Sequence, residues 1–595
     1  MSHSISLQEG ATQSCKNLLH TQVTLADLLL IYLEMLGVEY IFGVPGGAIE
    51  PLYNSLARGG GIDQGKPTAV IARHEAGAAF MADGYARTTG KIGVCCATTG
   101  PGATNLITGV SSAYENHIPL LVITAQTASK GFGHGAFQES SDTGINIVGM
   151  MQYCTAYNSL VSHPEQFEYK LTTALAIAHA QKRPVHLSIP SDIFNCAPVV
   201  PARANLKSIL RARYSCDARE TEELSAALSD SHKCVFVIGR DCREAMPNIM
   251  AVAERMGAAL VTTPDAKFLV DPYHRSYRGV IGFASHVSAE EALRDTAVDT
   301  VLVLGATLSE WCGGPLIGKL VQEKLLLVQE SSIYLSRFPN ARMHVQGNIK
   351  AVFEILAVSI PARQVHEKIA DEAVKLPFKP CTYTHSDGWT KALVKPQWLM
   401  TQLPISFPPE TQFLADTGNS TAWAVHYLHA DHRRTEHGTL NSASNFLHVT
   451  IEFAAMGWAI GASVGMALAH TRQPVVCITG DGSCLMNGQE MTVAQEYCLP
   501  MVFIILNDGY LGMVKHGQRL AGAESIGTRL PAVDFARLAA AMGIEGHTIS
   551  CPEDWHRLNL KKTWKRTAPI VLNVLVDPEE VPPIGVRIQA LAAGD

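Results

Sequence analysis

Basic charge is scarce: the 595 residues hold 47 Lys plus Arg against 54 Asp plus Glu, a formal charge of −7. That balance disfavours a general polyanion binder, so no nucleic-acid partner is expected. C-x-x-C pairs are absent from the 14 cysteines, and the one close set, Cys95-Cys96, sits inside an apolar, strand-like run. Reduced, buried thiols fit that scatter better than a disulfide framework or a zinc site. The opening residues 1–16 carry no apolar secretory core, so a cytoplasmic location is the expectation. The one membrane candidate, Phe453 to Ala469, has 17 uncharged residues, short of the roughly 20 that cross a bilayer. Its Gly457, Gly461 and Gly465 recur every four residues, which suits a buried helix packed closely against a sheet, and no membrane contact is expected.

What is present is a globular composition, 47% hydrophobic and 17% charged, punctuated by 48 Gly and 30 Pro. At roughly 150 residues per domain the length allows about three or four cores. After a tail expected to be flexible over 1–20, apolar residues at Leu25, Leu28, Leu29, Tyr32, Leu33 and Leu36 share one helical face, with Thr24 and Asp27 placed to cap its start and Gly37 its end. Short β-branched strands ending in Gly, Pro or Thr then alternate with helical patterns, the mark of parallel βαβ units. Pro-containing stretches near 196–217 and 360–395 read as linkers. The fold class is therefore α/β, three doubly wound parallel-sheet domains, over residues 21–195, 218–358 and 395–582.

The sharpest local pattern is Gly480-Asp481-Gly482-Ser483 after the strand-like PVVCIT, with 24 residues separating Gly482 from Asn507-Asp508-Gly509 after PMVFIILN. Two adjacent parallel strands ending in carboxylates would set both at the C-terminal edge of the sheet, where α/β proteins bind ligands. Asp481 and Asp508 then suit a hard, oxygen-liganded cation such as Mg²⁺, which prefers few carboxylates plus phosphate oxygens. The glycines leave room for a diphosphate, and a helix expected to start near Leu485 would aim its N-terminus at that anion. A Gly-Asp-Gly turn alone is a common loop.

The spacing GDG-x24-N-D resembles the thiamine-diphosphate motif of the family that includes acetolactate synthases, pyruvate oxidases and related decarboxylases. The family usually has Asn at the position of Asp508, although some catabolic acetolactate synthases carry Asp. The resemblance implies a cation held by Asp481, Asp508 and the backbone carbonyl of Tyr510. Arg73-His74-Glu75-Ala76-Gly77, followed by Met81-Ala82-Asp83-Gly84-Tyr85-Ala86-Arg87, is similar to the stretch bearing the cofactor-activating glutamate. Glu75 would bind N1′ of the aminopyrimidine and favour its imino tautomer. Val44-Pro45-Gly46-Gly47-Ala48 resembles the glycine-rich loop on the substrate side of the thiazolium, and Thr99-Gly100-Pro101-Gly102-Ala103-Thr104-Asn105 the turn at the aminopyrimidine pocket. Gln126 and Phe137-Gln138-Glu139 correspond to residues shaping the acceptor site. Glu75, Gln138 and Gly47 are thereby the expected catalytic set, and Pro45, Gly46, Thr99 and Asn105 join Glu75 as cofactor contacts.

In the last block, Asp416-Thr417-Gly418-Asn419-Ser420 resembles the loop that meets the cofactor's diphosphate, with Asn419 and Ser420 donating to phosphate oxygens. Met456 lies 25 residues before Asp481, the family's offset for the apolar wedge that bends the cofactor into a V. Gly480, Gly482, Ser483, Leu511, Gly512 and Met513 complete the expected cofactor contacts. The Trp by which biosynthetic acetolactate synthases favour 2-ketobutyrate would fall near Gly517, so its absence argues against the branched-chain enzyme. In the middle block, Gly239-Arg240-Asp241 and Gly305-Ala306 stand where several members bind FAD, but no G-x-G-x-x-G is present there and Thr307-Leu308-Ser309-Glu310-Trp311 replaces the biosynthetic R-F-D-D-R type segment. FAD thus remains open.

The resemblance covers about residues 20–585 and implies a thiamine-diphosphate- and Mg²⁺-dependent carboligase or decarboxylase, acting on a 2-oxo acid such as pyruvate and a carbonyl acceptor. It implies a homodimer or tetramer, with Glu75 of one subunit opposite Asp481 and Asp508 of another. A different thiamine-diphosphate decarboxylase, oxidase or C–C lyase is the main alternative. A nicotinamide or flavin dehydrogenase and a non-catalytic subunit are the others.

Overall fold

The computed structural model describes residues 23–141, 144–198, 204–211, 214–320, 322–362, 393–429, 446–470, 473–558, 560 and 567–585. The expected tail over 1–20 and most of the expected linker at 360–395 lie outside the described residues. The chain forms two compact units, 1–211 and 212–595.

The first unit is built on one sheet of six parallel strands: β1 (Tyr40–Gly43), β2 (Thr68–Ile71), β3 (Gly93–Ala97), β4 (Leu120–Gln126), β5 (Tyr157–Leu160) and β6 (Val185–Pro190). Their order is β2-β1-β3-β4-β6-β5. β3, β4 and β6 are buried along their full length, which is why they read as unbroken apolar runs rather than alternating ones. The helix Leu25–Met35 packs its Leu and Tyr residues into this core. Its capping box is present, with Asp27 N donating to Thr24 Oγ1 at 3.3 Å and Thr24 N to Asp27 Oδ2 at 2.9 Å. Gly37, at φ +67°, ends it in the left-handed conformation.

The second unit holds two further six-stranded parallel sheets. One comprises β7 (Cys234–Ile238), β8 (Ala259–Thr262), β9 (Tyr277–Val280), β10 (Thr300–Leu304), β11 (Leu325–Gln329) and β12 (Met343–Gln346), ordered β12-β11-β10-β7-β8-β9. The other comprises β13 (Gln412–Ala415), β14 (Leu447–His448), β15 (Val475–Gly480), β16 (Met501–Asn507), β17 (Glu545–Ile549) and β18 (Ile570–Leu575), ordered β14-β13-β15-β16-β18-β17. The first and last sheets share one strand order, whereas the middle sheet has the order of dinucleotide-binding folds. Each sheet falls inside one of the three blocks expected from sequence. The middle and last blocks nevertheless form a single compact unit, because Phe268, Val280, Phe283 and Cys312 share one hydrophobic core with Leu399, Phe413, Trp423 and Phe446.

One local expectation is corrected and another is met in part. The helix after β15 spans Asp481–Asn487 and starts at the aspartate, not near Leu485. The uncharged run 453–469 is a loop followed by a 12-residue helix, Trp458–Ala469, opening at Gly457 with φ +84°. No helix among the described residues is long and apolar enough to cross a membrane.

Candidate cofactor site

Strand order explains where chemistry gathers. In the first and last sheets the chain reverses direction across the sheet between the first and third strands, and ligands bind outside the carboxyl ends of strands at such switch points. In the first unit these ends carry Val44-Pro45-Gly46-Gly47 after β1 and Thr98-Thr99-Gly100 after β3.

Glu75 begins the helix Glu75–Thr89, whose N-cap His74 accepts a hydrogen bond from Ala76 N at 3.1 Å. Glu75 is 8% exposed, and its carboxyl has two neighbours. Asn105 Nδ2 donates to Oε2 at 2.9 Å, and Gly102 packs so closely that a Cβ there would lie 3.1 Å from Oε1. Asn105, expected as a cofactor contact, therefore holds Glu75, a role that its place five residues after Gly100 did not reveal. Thr99 Oγ1 lies 2.9 Å from both the Gln138 carbonyl and Ser140 Oγ, so this hydroxyl is engaged within the chain. Gln138 is exposed and held at φ +56°, over Gly100, whose added Cβ would come within 3.1 Å of Gln138 Cβ. A non-glycine residue in that conformation stores strain of the kind concentrated at functional sites. The two loop glycines differ: a Cβ at Gly46 would strike Thr98 at 2.7 Å, whereas Gly47 faces open space. Pro45 beside them is exposed.

In the second unit the corresponding ends belong to β13, β15 and β16. β15 and β16 are adjacent and in register to Gly480 and Leu506, so Asp481 and Asp508 share the sheet edge. Both Asp481 oxygens accept backbone amides, Oδ1 from Gly482 and Oδ2 from Gly509, each at 2.7 Å, and Asp508 Oδ1 accepts from Tyr510 N at 2.8 Å. Burial pushes Asp481 up to about 6. Burial and the neighbouring Asp481 charge push Asp508 up to about 7, against the pull of Lys515. Two crowded carboxyls with unused lone pairs fit a divalent cation, which relieves both desolvation and mutual repulsion.

Asn419 Oδ1 and Ser483 Oγ are buried without a hydrogen-bond partner. Buried polar atoms are seldom left unsatisfied, so two orphans beside the paired carboxyls mark a place for a polar ligand. A Cβ on Gly512 would meet Asn419 Nδ2 at 2.4 Å and Asp508 Oδ2 at 2.5 Å, so only glycine lets these side chains converge. Gly418 (φ +119°) turns the chain into the helix Asn419–Tyr427, and Gly480 leaves open space in front of the edge. Ser420 departs from expectation: its hydroxyl donates to the Asp416 carbonyl at 2.7 Å. Gly482 likewise has its amide on Asp481, and a Cβ added to it would lie 2.7 Å from Leu511 Cδ2. Leu511 and Gly509 are tied by their backbones to Thr528 and Leu530, while Met513 packs on the core. Met456 Cε approaches Gly482, 3.5 Å from the place of a Cβ.

Asp416 stands in a sequence motif that assigns it no role of its own. Its carboxyl is fully buried and accepts from Thr417 N (2.9 Å), Gly457 N (3.0 Å), Ala459 N (3.4 Å) and Thr479 Oγ1 (2.9 Å), with burial raising it to about 6. An Asp closing an apolar strand was the available signal. Lys515, buried with Nζ on Glu579 (2.7 Å) and the Pro578 carbonyl (3.0 Å), carries no such signal in the sequence.

The middle sheet switches between β7 and β10. A Cβ on Gly239 would lie 2.2 Å from the Gly305 carbonyl, so the two turns abut rather than form a cradle. Arg240 there lies 3.6 Å from Asp265 and 4.0 Å from Asp241. Carboxylates at this edge do not fit the anionic diphosphate of a flavin dinucleotide.

Each unit thus carries polar groups at its sheet's switch point, and family models match all three blocks of the chain. The model described as thiamine pyrophosphate enzyme, N-terminal TPP binding domain, matches residues 23–145, the central domain 221–356, and the C-terminal TPP binding domain 416–574. The chain belongs to the thiamine pyrophosphate enzyme family. It is 31% identical over 548 residues to an acetolactate synthase of Mycobacterium avium, covering 90% of this chain and 84% of that protein. It is 29% identical over 550 residues to the large subunit of acetolactate synthase isozyme 2 of Escherichia coli (strain K12), covering 91% and 94%. Among solved structures, the thiamine diphosphate-dependent 4-hydroxybenzoylformate decarboxylase of Rhodococcus jostii RHA1 shares the fold with a TM-score of 0.75 at 20% identity, over 93% of this chain and 99% of that one.

Proposed function

We propose that the protein is a thiamine-diphosphate- and Mg²⁺-dependent carboligase or decarboxylase acting on a 2-oxo acid such as pyruvate, in the manner of acetolactate synthase. The observation that carries the reading is the pairing of Asp481 and Asp508 beside the two orphaned polar atoms of Asn419 and Ser483. Similarity to acetolactate synthases along nine-tenths of the chain supports the substrate class.

When bound, thiamine diphosphate supplies a nucleophilic carbon and an electron sink for loss of CO₂. Asp481, Asp508 and the Tyr510 carbonyl would hold Mg²⁺, and Asn419 Nδ2, the Ser483 hydroxyl and the backbone amides after Gly418 would donate to phosphate oxygens. Met456 would set the angle between the cofactor's rings, and Leu511 and Gly512 would add contacts to it. Glu75, steadied by Asn105, holds and returns the proton at N1′ of the aminopyrimidine. Thr99 and Gly46 shape that pocket. Gly47 leaves room for the donor acid, and Gln138 faces the carbonyl acceptor. As the family resemblance implies, the active form is a homodimer or tetramer that joins Glu75 of one copy to Asp481 and Asp508 of another.

Product analysis tests this: with pyruvate, Mg²⁺ and thiamine diphosphate, acetolactate and CO₂ are expected. Acetaldehyde or acetate alone would favour another thiamine-diphosphate decarboxylase or oxidase, while Gly517, in place of the acceptor-selecting Trp, leaves room for an acceptor other than 2-ketobutyrate. The oligomer is read by light scattering, with a monomer that turns over excluding the shared site.

A further inference from the structure

The loop carrying Met456 is strained. Ala454, a non-glycine residue, stands at φ +53°, and Gly457 at φ +84°. The left-handed region costs an alanine energy that surrounding contacts must offset. On the C-terminal side the restraint is plain: Asp416 accepts the Gly457 and Ala459 amides, and Asn487 Nδ2 donates to the Gly457 carbonyl at 3.1 Å. A Cβ on Gly457 would meet Asn487 at 2.7 Å, which fixes the residue as glycine.

On the N-terminal side the restraint comes from the middle sheet. Glu452 Oε1 accepts three hydrogen bonds from one turn beyond β10: from Thr307 Oγ1, from Ser309 Oγ at 3.1 Å and from Cys312 Sγ at 3.5 Å. Thr307 and Cys312 are buried. The turn itself is rigid, because Arg337 donates to the Thr307 carbonyl, Gln329 Nε2 donates to the Ala306 carbonyl at 2.7 Å, and Phe283 N donates to the Trp311 carbonyl at 2.7 Å. Met456 follows Glu452 by only four positions in the chain.

We propose that Glu452 is a positioning residue: its carboxylate, seated on Thr307, Ser309 and Cys312, holds the strained loop so that Met456 presents its side chain at Gly482. The middle sheet's switch point thereby serves the neighbouring cofactor site as an anchor. The proposal rests on the reading of Met456 as the wedge between the cofactor's rings.

The variants Glu452→Ala, Glu452→Gln and Thr307→Val test it. In the cofactor-free protein, hydrogen–deuterium exchange of the amides at 450–456 is expected to rise at least tenfold in Glu452→Ala while exchange in β15 and β16 stays unchanged. In the holoenzyme, the exchange rate of the thiazolium C2 hydrogen, read by NMR after acid quench, is expected to fall at least tenfold, with thiamine diphosphate affinity within about threefold of wild type. Glu452→Gln keeps the accepting oxygen and is expected to restore most of that rate. Thr307→Val removes one donor from the opposite side and is expected to shift both readouts in the same direction by a smaller factor, so a poorly folding Glu452→Ala leaves the test intact. Wild-type loop exchange and wild-type C2 exchange in Glu452→Ala would overturn the proposal. A loosened loop with unchanged C2 exchange would overturn the positioning role. A wild-type protein that neither binds thiamine diphosphate nor accelerates C2 exchange would instead overturn the functional reading beneath it.

Discussion

Asn105 donates its amide hydrogen to Glu75 Oε2 at 2.9 Å, and Gly102 closes against the other oxygen of the same carboxyl. The glutamate is thus held by a neighbour at the end of the short helix Pro101–Asn105 that follows β3. Glu75→Gln is expected to abolish turnover while leaving thiamine diphosphate binding mostly intact, because the amide cannot exchange the N1′ proton. Asn105→Leu keeps the carboxyl but frees it, and about a 10- to 100-fold fall in kcat is expected, part of the roughly 10²- to 10⁴-fold that a positioned acid–base group supplies. Steady-state kinetics with cofactor titration by fluorescence separates the two effects. Near-wild-type activity in Glu75→Gln would sink the assignment.

The carboxyl pair at the metal edge gives a test of opposite signs. Asp508 is pushed up by burial and by Asp481, so in the absence of cation the two destabilise one another. Asp508→Asn removes that repulsion and is expected to raise the melting temperature of the cation-free protein, while Mg²⁺ affinity falls modestly. Asp481→Asn also removes charge, but it exchanges an acceptor of two backbone amides for a side chain with one oxygen. A loss of Mg²⁺-dependent thiamine diphosphate binding of at least 100-fold is expected. Calorimetric titration of both variants measures the difference.

The fold was legible where burial is two-sided. β4 and β16 are hidden on both faces and appear in the chain as apolar runs closed by polar turns, which is the signal of parallel sheets. Their order was not legible, since strand neighbours depend on crossovers that leave no local mark, and so the topological identity of the first and last sheets was a structural finding. Asp481, Asp508 and Glu75 announced themselves by following such strands or opening a helix. Asn105, Asp416 and Glu452 did not, because each acts by what it touches across the fold, at sequence separations of 30, 41 and 145 residues for Glu75, Gly457 and Thr307. The start of the helix at Asp481 was misplaced for a related reason: Gly-Asp-Gly reads as a turn, yet its aspartate accepts the next amide and begins the helix.

His186, fully buried in β6, gives the first unit an acid-side liability. Asn158 Nδ2 donates to the Val148 carbonyl, which turns Asn158 Oδ1 toward His186 Nδ1 at 2.6 Å, so Nδ1 carries the proton and Nε2 accepts from Thr124 Oγ1 at 2.7 Å. Burial depresses the imidazole to about 3. Below pH 6.5 the unfolded chain takes up a proton that the folded one refuses, so this contribution is full above about 6.5 and is lost as pH falls toward 3, by up to about 1.4 kcal/mol per pH unit. Thermal melts of His186→Gln, whose neutral amide does not titrate, are expected to show a weaker fall between pH 6.5 and 4 than the wild type. Equal slopes would remove His186 from the account.

The middle sheet carries the strand order of dinucleotide-binding folds, and a flavin there would be the natural guess from topology alone. Its edge argues otherwise. The turn at Gly239 abuts the Gly305 carbonyl, Arg240 lies beside Asp265 and Asp241, and Thr307, Ser309 and Cys312 converge on Glu452. A flavin diphosphate would meet carboxylates already paired with Arg240, an unfavourable electrostatic pairing. Protein purified with added FAD is therefore expected to show no flavin absorption band after desalting, and its product-forming rate is expected to be unchanged by FAD. A stoichiometric yellow complex would show that this edge opens, and Glu452 would then have to leave its three donors.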